Sequence, residues 1–312
     1  MSALTKTAYV FPGQGSQWAG MGRDLYTEFA SARTIFDRAD EVLGFPLSRL
    51  CFEGPEDELR QTINAQPAIL TVSYTCLQSA REVNPGLPPP VLVAGHSLGE
   101  YTALAVAGVF DFDTAVYLAR ERGRLMHEAG KIYPGSMVAI IGADEDLLDE
   151  VCRQTDTCLA NVNCPGQLVI SGDREKVTQA MNLARNKGVP RVIPLPVSGA
   201  FHTPLMQPAY DGMTRILASL PFQEPVIPAI ANTTARPLTT TESVKAELLS
   251  QLCNCVQWQR SIEYMITQGV STFIEIGPGK VLTGLIRRIN KKVRTLNIGD
   301  AEAVRSIHSE AQ

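Results

Sequence analysis

Two side chains in this sequence could form a nucleophile and its base. Ser97 stands in Gly95-His96-Ser97-Leu98-Gly99, after the apolar run Val91-Leu92-Val93-Ala94 and before Tyr101-Thr102-Ala103-Leu104-Ala105-Val106-Ala107, which reads as a helix. A G-x-S-x-G turn between strand and helix is a nucleophile elbow: the chain turns so sharply that the serine hydroxyl stands clear of the backbone. Gly95 and Gly99 leave room for strand and helix to approach closely. The unpaired amides that open the helix, Leu98 N–H among them, point toward an anion forming at Ser97. A serine here could instead simply cap a helix. The chain has four histidines. His96 is adjacent to Ser97 and its side chain should point elsewhere. His127 lies late on a helix, where a cation suits the dipole. His308 sits in a polar tail. Elimination leaves His202 as the base, at a loop end just before a helix that Thr203 caps and Pro204 starts. Its alternative role is to stabilise that helix junction.

Two further residues bear on what such a pair would act upon. Arg122 lies in the middle of the apolar stripe Ala115, Leu118, Ala119, Leu125, Met126, Ala129 of a predicted helix over 114–129, with Asp113 as its N-cap. An arginine on a core-facing stripe is costly unless a carboxylate pairs with it. That carboxylate belongs either to the protein or to a ligand held by the two-pronged guanidinium. Gln14 stands in Pro12-Gly13-Gln14-Gly15-Ser16-Gln17-Trp18, after the strand-like Ala8-Tyr9-Val10-Phe11. The loop lacks the third glycine of a dinucleotide fingerprint and the G-K-[ST] of a phosphate loop. Gln14 either lends a donor to an active site or is a solvated loop residue.

The elements that must position these residues read as α/β. Helical intervals fill 21–85, and a proline-rich connection, 85–90, leads into the elbow strand. Helix, strand and sharp turn in this order predict a parallel α/β core. From Gly135 the pattern changes to strand, helix, strand, hairpin strand, helix capped by Asp173, and a last strand over 189–195. That β-α-β-β-α-β order is a ferredoxin-like module. It reads as an insertion because the chemistry resumes after it. The expected division is a catalytic domain of 1–133 and 197–312 with an α/β-hydrolase-like core, and a small subdomain of 134–196. Beyond it come a helix over 208–220, strands over 226–231 and 272–276, and helices over 243–253, 261–268 and 280–289. The tail after Gly299 reads as polar and loose.

Composition narrows the class. The chain of 312 residues is 45% hydrophobic and 19% charged, as in soluble globular proteins. A net charge of -4 gives no basic excess for nucleic acid. No apolar run is long enough to span a bilayer, and the N-terminal residues carry no charged-then-apolar signal. Seven scattered cysteines suggest neither a disulfide framework nor a zinc site. The expectation is a cytoplasmic protein without bound metal or cofactor and without nucleic-acid or membrane partners.

Assembled in order, the motifs resemble those of the malonyl-CoA:acyl carrier protein transacylases of fatty acid synthesis and the related acyltransferase domains of polyketide synthases. They are Phe11-Pro12-Gly13-Gln14-Gly15-Ser16-Gln17, Gly95-His96-Ser97-Leu98-Gly99-Glu100-Tyr101, Arg122-Gly123-Arg124-Leu125-Met126, Asn161-Val162-Asn163-Cys164-Pro165-Gly166-Gln167, Gly199-Ala200-Phe201-His202, Val256-Gln257-Trp258 and Glu275-Ile276-Gly277-Pro278-Gly279-Lys280-Val281-Leu282. The resemblance implies Ser97 as nucleophile and His202 as base, with an oxyanion hole from Gln14 and the Leu98 amide. It implies that Arg122 grips the malonyl carboxylate and that the Gln257 carbonyl orients His202. Gln257, Phe201 and Asn163 join Arg122 in the implied substrate-binding set, with Phe201 crowding an α-methyl group. The implied partners are malonyl-CoA and acyl carrier protein, and the chain is expected to be a monomer. A basic rim for an acidic carrier is expected among Lys187, Arg191, Lys280, Arg287, Arg288, Lys291 and Lys292, which otherwise are solvated surface. The implied reaction is ping-pong through a malonyl-serine. Two other classes fit parts of the pattern: a serine hydrolase using the same elbow, and a non-catalytic scaffold keeping the fold. A free-standing acyltransferase serving a polyketide synthase shares the chemistry and differs only in its carrier.

Overall fold

The computed structural model describes residues 6–197 and 199–310, with the side chains of 308–310 (His308 among them) outside the description. Among the described residues ten strands follow in order: β1 (Lys6–Phe11), β2 (Leu92–Gly95), β3 (Gly135–Ile141), β4 (Cys158–Cys164), β5 (Gln167–Asp173), β6 (Arg191–Pro194), β7 (Ala229–Ile230), β8 (Pro237–Leu238), β9 (Val270–Ile276) and β10 (Arg294–Ile298). The main sheet has the order β10-β9-β1-β2-β7-β8. It is parallel apart from β8, which runs against β7. The second sheet, β4-β5-β3-β6, is antiparallel throughout.

A parallel sheet is covered on both faces, so its inner strands read as near-continuous apolar runs. Alternate residues of β1, β2 and β9 serve two cores here. Tyr9, Phe11, Val93 and Ile274 pack into the larger one, and Ala8, Val10, Leu92, Ala94 and Phe273 into the one opposite. On the larger side the helix Thr62–Val83 packs against the helix Phe112–Ile132. A Cβ added at Gly123 would lie 2.6 Å from the Thr62 carbonyl oxygen, so these helices meet backbone to backbone. That approach carries Arg122 up to Gln66 on the facing helix.

Three local expectations need correction. The helix Phe112–Ile132 is capped by Asp111, whose side chain accepts from the Thr114 amide, while Asp113 sits inside the helix and pairs with Arg38. The strand expected over 226–231 is only β7, because Val226 is 79% exposed and pairs with no strand. The stretch after Gly299 forms the helix Ala301–Glu310, with Ala301, Val304 and Ile307 buried against the main core. Its polar composition belongs to the outer face alone.

The elbow depends on backbone contact. An added Cβ at Gly95 would fall 1.8 Å from the Gly99 carbonyl carbon, and one at Gly99 would fall 2.1 Å from the Phe11 carbonyl oxygen. Neither neighbour is a side chain that can swing away. Gly95→Ala is expected to cost at least about 3 kcal/mol of stability by forcing strand and helix apart. Gly284→Ala, on an exposed helix position where the new methyl meets nothing within 4 Å, should instead hold or raise stability by up to about 1 kcal/mol. Thermal unfolding of both variants checks the pair. An unchanged midpoint for Gly95→Ala would contradict the packing described.

Candidate active site

The elbow places Ser97 between β2 and the helix Gly99–Val106 in a left-handed backbone conformation, φ 52°. Non-glycine residues adopt this region rarely and at a cost, commonly where a side chain must be aimed. The Ser97 amide donates to Asn232 Oδ1 at 2.7 Å, and Asn232 Nδ2 donates to the Gly95 carbonyl at 2.7 Å. One amide side chain thus brackets the turn from both ends.

His202 also has a positive φ, 62°, in the loop before the short 3₁₀ turn Pro204–Met206 that Thr203 caps. Its Nε2 lies 2.9 Å from Ser97 Oγ and its Nδ1 lies 2.7 Å from the Gln251 carbonyl oxygen. A carbonyl only accepts, so Nδ1 carries the proton and Nε2 is left to accept from the serine hydroxyl. Burial, with the Arg122 guanidinium adding to it, pushes the His202 pKa down to about 3. The imidazole is neutral at ordinary pH, with the Nε2 lone pair free to accept.

The carbonyl on His202 belongs to Gln251 and not to Gln257, as the sequence motif implied. Gln251 lies in the last turn of the helix Thr241–Cys253, where carbonyls have no partner within the helix. Gln257 precedes the helix Trp258–Thr267, and its carbonyl accepts from the Ser261 amide inside that helix's first turn. Its own amide donates to the Asn232 carbonyl at 2.7 Å.

Arg122 is 1% exposed. Nη1 donates to Gln66 Oε1 at 2.7 Å, and Nη2 donates to Gln251 Oε1 at 2.7 Å and to Ser97 Oγ at 3.2 Å. Among the described residues, no carboxylate is in ion-pair contact with it. The protein partner that sequence left open is therefore two neutral amides. Its guanidinium also lies over the Tyr101 ring, 5.5 Å from the centroid.

A cavity of about 530 Å³ opens over this group, between the main sheet and the small one. Gln14, Ser97, Leu98, Arg122, Phe201 and His202 line it. Gln14 Oε1 accepts from Thr62 Oγ1 at 3.0 Å, which turns its amide N–H₂ the other way. Asn163 also lines the cavity, but its Oδ1 takes the His96 Nε2 proton at 2.8 Å. His96 is thereby aimed away from Ser97 and packs edge-on against Trp258. Gln257 is not among the lining residues.

Sequence reasoning missed Gln251, Asn232 and Gln66, which hold the base, the elbow and the guanidinium. The one available signal was Glu100, an acidic residue on the otherwise apolar helix after the elbow. Such a group needs donors around it.

The chain is similar to known proteins over nearly its whole length. The profile of the acyl transferase domain matches residues 8–310. The malonyl CoA-acyl carrier protein transacylase of Bacillus subtilis is 44% identical over 306 residues, covering 96% of each chain. The crystal structure of an acyl-carrier-protein-S-malonyltransferase from Bartonella henselae superposes with a TM-score of 0.94 at 41% identity, over 98% of this chain and 99% of that one. A malonyl-transacylase solved in complex with its type II polyketide synthase acyl-carrier protein superposes equally well, with a TM-score of 0.94 at 39% identity over 98% and 100% of the two chains. On the sequence motifs, the shared fold and these matches, the chain belongs to the acyl transferase family that includes the malonyl CoA-acyl carrier protein transacylases.

Proposed function

We propose that this enzyme transfers the malonyl group from malonyl-CoA to the phosphopantetheine thiol of an acyl carrier protein through a malonyl-serine. The observation that carries the reading is Arg122, a buried guanidinium beside Ser97 Oγ whose hydrogen-bond partners among the described residues are neutral oxygens. A malonyl thioester bound at Ser97 brings a free carboxylate to that cation, and a bidentate pair forms.

In the proposed reaction Ser97 Oγ attacks the thioester carbonyl as its proton passes to His202 Nε2. The oxyanion rests on the Leu98 amide and on Gln14, each such donor commonly worth about 3 kcal/mol. The intermediate collapses, the C–S bond breaks, and CoA leaves as a thiol with the proton from His202. The carrier's thiol then gives its proton to His202 and attacks the malonyl ester. Ser97 leaves and recovers that proton. The Gln251 carbonyl takes the orienting place that an acid fills in a triad. Phe201 narrows the cavity against an α-methyl group, and Asn163 borders the thioester arm.

The small antiparallel sheet, with helices between β3 and β4 and between β5 and β6, is read as a ferredoxin-like subdomain over 134–196. The remainder is read as an α/β-hydrolase-like catalytic domain. A monomer working in the cytoplasm fits this reading. Lys280, Arg287, Arg288, Lys291 and Lys292 form an exposed basic face on and around the helix Val281–Ile289, whose first turn borders the cavity. This face suits an acidic carrier. Lys187 suits it less, because it is ion-paired to Glu150. The polyketide carrier bound by the third relative keeps open whether the carrier belongs to fatty acid or polyketide synthesis. Assay with both carriers separates the two.

Intact-protein mass after brief mixing with malonyl-CoA, without carrier, tests the central claim. Wild type should gain one malonyl group and Ser97→Ala none. Arg122→Ala should lose malonyl loading by about a hundredfold or more while acetyl loading from acetyl-CoA falls much less. An adduct on Ser97→Ala, or malonyl loading indifferent to Arg122, would overturn the site. Rapid release of free malonate from wild type would favour a hydrolase.

The pH profile gives a second check. A base held at about 3 stays unprotonated through the mildly acidic range. kcat/KM for malonyl-CoA should therefore stay level from about pH 8 to about pH 5 and fall only below that, as a proton reaches Nε2. An acid limb near the ordinary imidazole value of about 6.5 would instead show that the ring keeps its solution basicity despite its burial.

A further inference from the structure

Below the cavity, on its buried side, lies a carboxylate that the transfer chemistry does not use. Glu100 is fully buried. Its Oε1 accepts from the Asn232 amide at 2.8 Å and from Asn232 Nδ2 at 2.9 Å, and its Oε2 accepts from Gln251 Nε2 at 2.5 Å. The two amides it touches are those that hold the site. Asn232 Oδ1 takes the Ser97 N–H. Gln251 Nε2 also donates to the Ser97 carbonyl at 2.9 Å, and Gln251 Oε1 receives Arg122 Nη2.

A side-chain amide has one accepting end and one donating end. Burial and the nearby Glu247 push the Glu100 pKa well up, while the donors of Asn232 and Gln251 oppose that shift. With three N–H donors aimed at its two oxygens, the ionised group offers only acceptors and dictates which end each amide turns toward it. Gln251 must present Nε2 to Glu100, which leaves Oε1 for the guanidinium. Turned over, it would set an N–H against Arg122 and an oxygen against both Glu100 and the Ser97 carbonyl. Asn232 is fixed in the same way, with Nδ2 toward Glu100 and the Gly95 carbonyl and Oδ1 toward the elbow amide. Thr233, next in the chain, is held in turn by the Glu247 carboxylate, which accepts its amide at 2.8 Å and its hydroxyl.

We propose that Glu100 is a positioning residue for acyl selection: by setting the polarity of Gln251 and Asn232 it holds the Arg122 guanidinium in register with the Ser97 elbow. The inference rests on the malonyl-transfer reading and names a group that touches neither substrate nor the reacting atoms. Its mark is selectivity. A defect confined to the elbow slows every acyl donor alike, whereas a displaced guanidinium penalises the donor that carries a carboxylate.

The test is the full-length Glu100→Gln variant beside wild type. Ser97 acylation is followed by quenched intact-protein mass over a range of malonyl-CoA and of acetyl-CoA, with thermal unfolding alongside. Glutamine keeps the shape but sets an N–H₂ where one of these donors needs an acceptor. The malonyl kcat/KM should fall at least tenfold, and the malonyl-over-acetyl preference should also fall by about tenfold. Equal losses for both donors, or no loss, would overturn the proposal. So would a lower malonyl KM at unchanged kcat, the sign of a counter-charge acting without positioning. If Glu100→Gln does not fold, Gln251→Leu cuts the same link from its other end while leaving the main-chain carbonyl on His202. It should show the same loss of preference, and retained preference would overturn the proposal. A wild type that gains no malonyl group would instead refute the underlying function reading.

Discussion

A buried guanidinium ion that touches no carboxylate among the described residues must recover from protein dipoles much of what it loses from water. Arg122 does so through the oxygens of Gln66 and Gln251 and through Ser97 Oγ. Much of the polar interior follows from that requirement. Gln66 is held in turn by the Thr62 hydroxyl, and that hydroxyl reaches Gln14 in the loop after β1. Gln251 is held by Glu100. The cation is therefore the hub of a polar seam that runs from the first loop of the chain to the last turn of the helix Thr241–Cys253. Buried amides are suited to this work. They stabilise a cation without neutralising it, and a cation left un-neutralised still attracts an anion.

The cavity's chemistry is set as much by backbone as by side chains. Ser97 and His202, the two groups that would exchange a proton, both sit at positive φ. Each is pinned through main-chain atoms, Ser97 by Asn232 and His202 by the Gln251 carbonyl. A neutral carbonyl orients the imidazole and raises its basicity less than a carboxylate would. Burial and the nearby guanidinium outweigh that hydrogen bond and leave the ring neutral in the free enzyme.

Sequence carried a good part of this. The glycine spacing around Ser97 announces an elbow because only a backbone-to-backbone approach excludes every Cβ, and that approach is present. Arg122 stood out because a charge interrupted an apolar stripe. The four-strand pattern after Gly135 was legible because strand and helix periodicities alternate cleanly there. What sequence hid has a common cause. Gln251, Asn232 and Gln66 act through neutral amides or main-chain atoms, which leave no periodic mark and have ordinary surface uses. The Gln257 assignment failed by six positions because a motif identifies a segment, whereas a free carbonyl is decided by where a helix ends. The C-terminal helix was misread because its three buried positions, Ala301, Val304 and Ile307, are few among polar neighbours.

The small sheet is tied to the body at both ends. The two chain crossings pair with each other at Pro134 and Gly199, and Val256 runs beside β4, exchanging backbone hydrogen bonds of 2.9 Å with Ala160 and Val162. These ties restrain the cover against swinging as a lid. In the proposed double displacement one cavity serves the incoming and the outgoing thioester. CoA and the carrier present the same arm to it and differ in what lies outside it. Discrimination between them passes to the rim, and the interior is left to judge the acyl group.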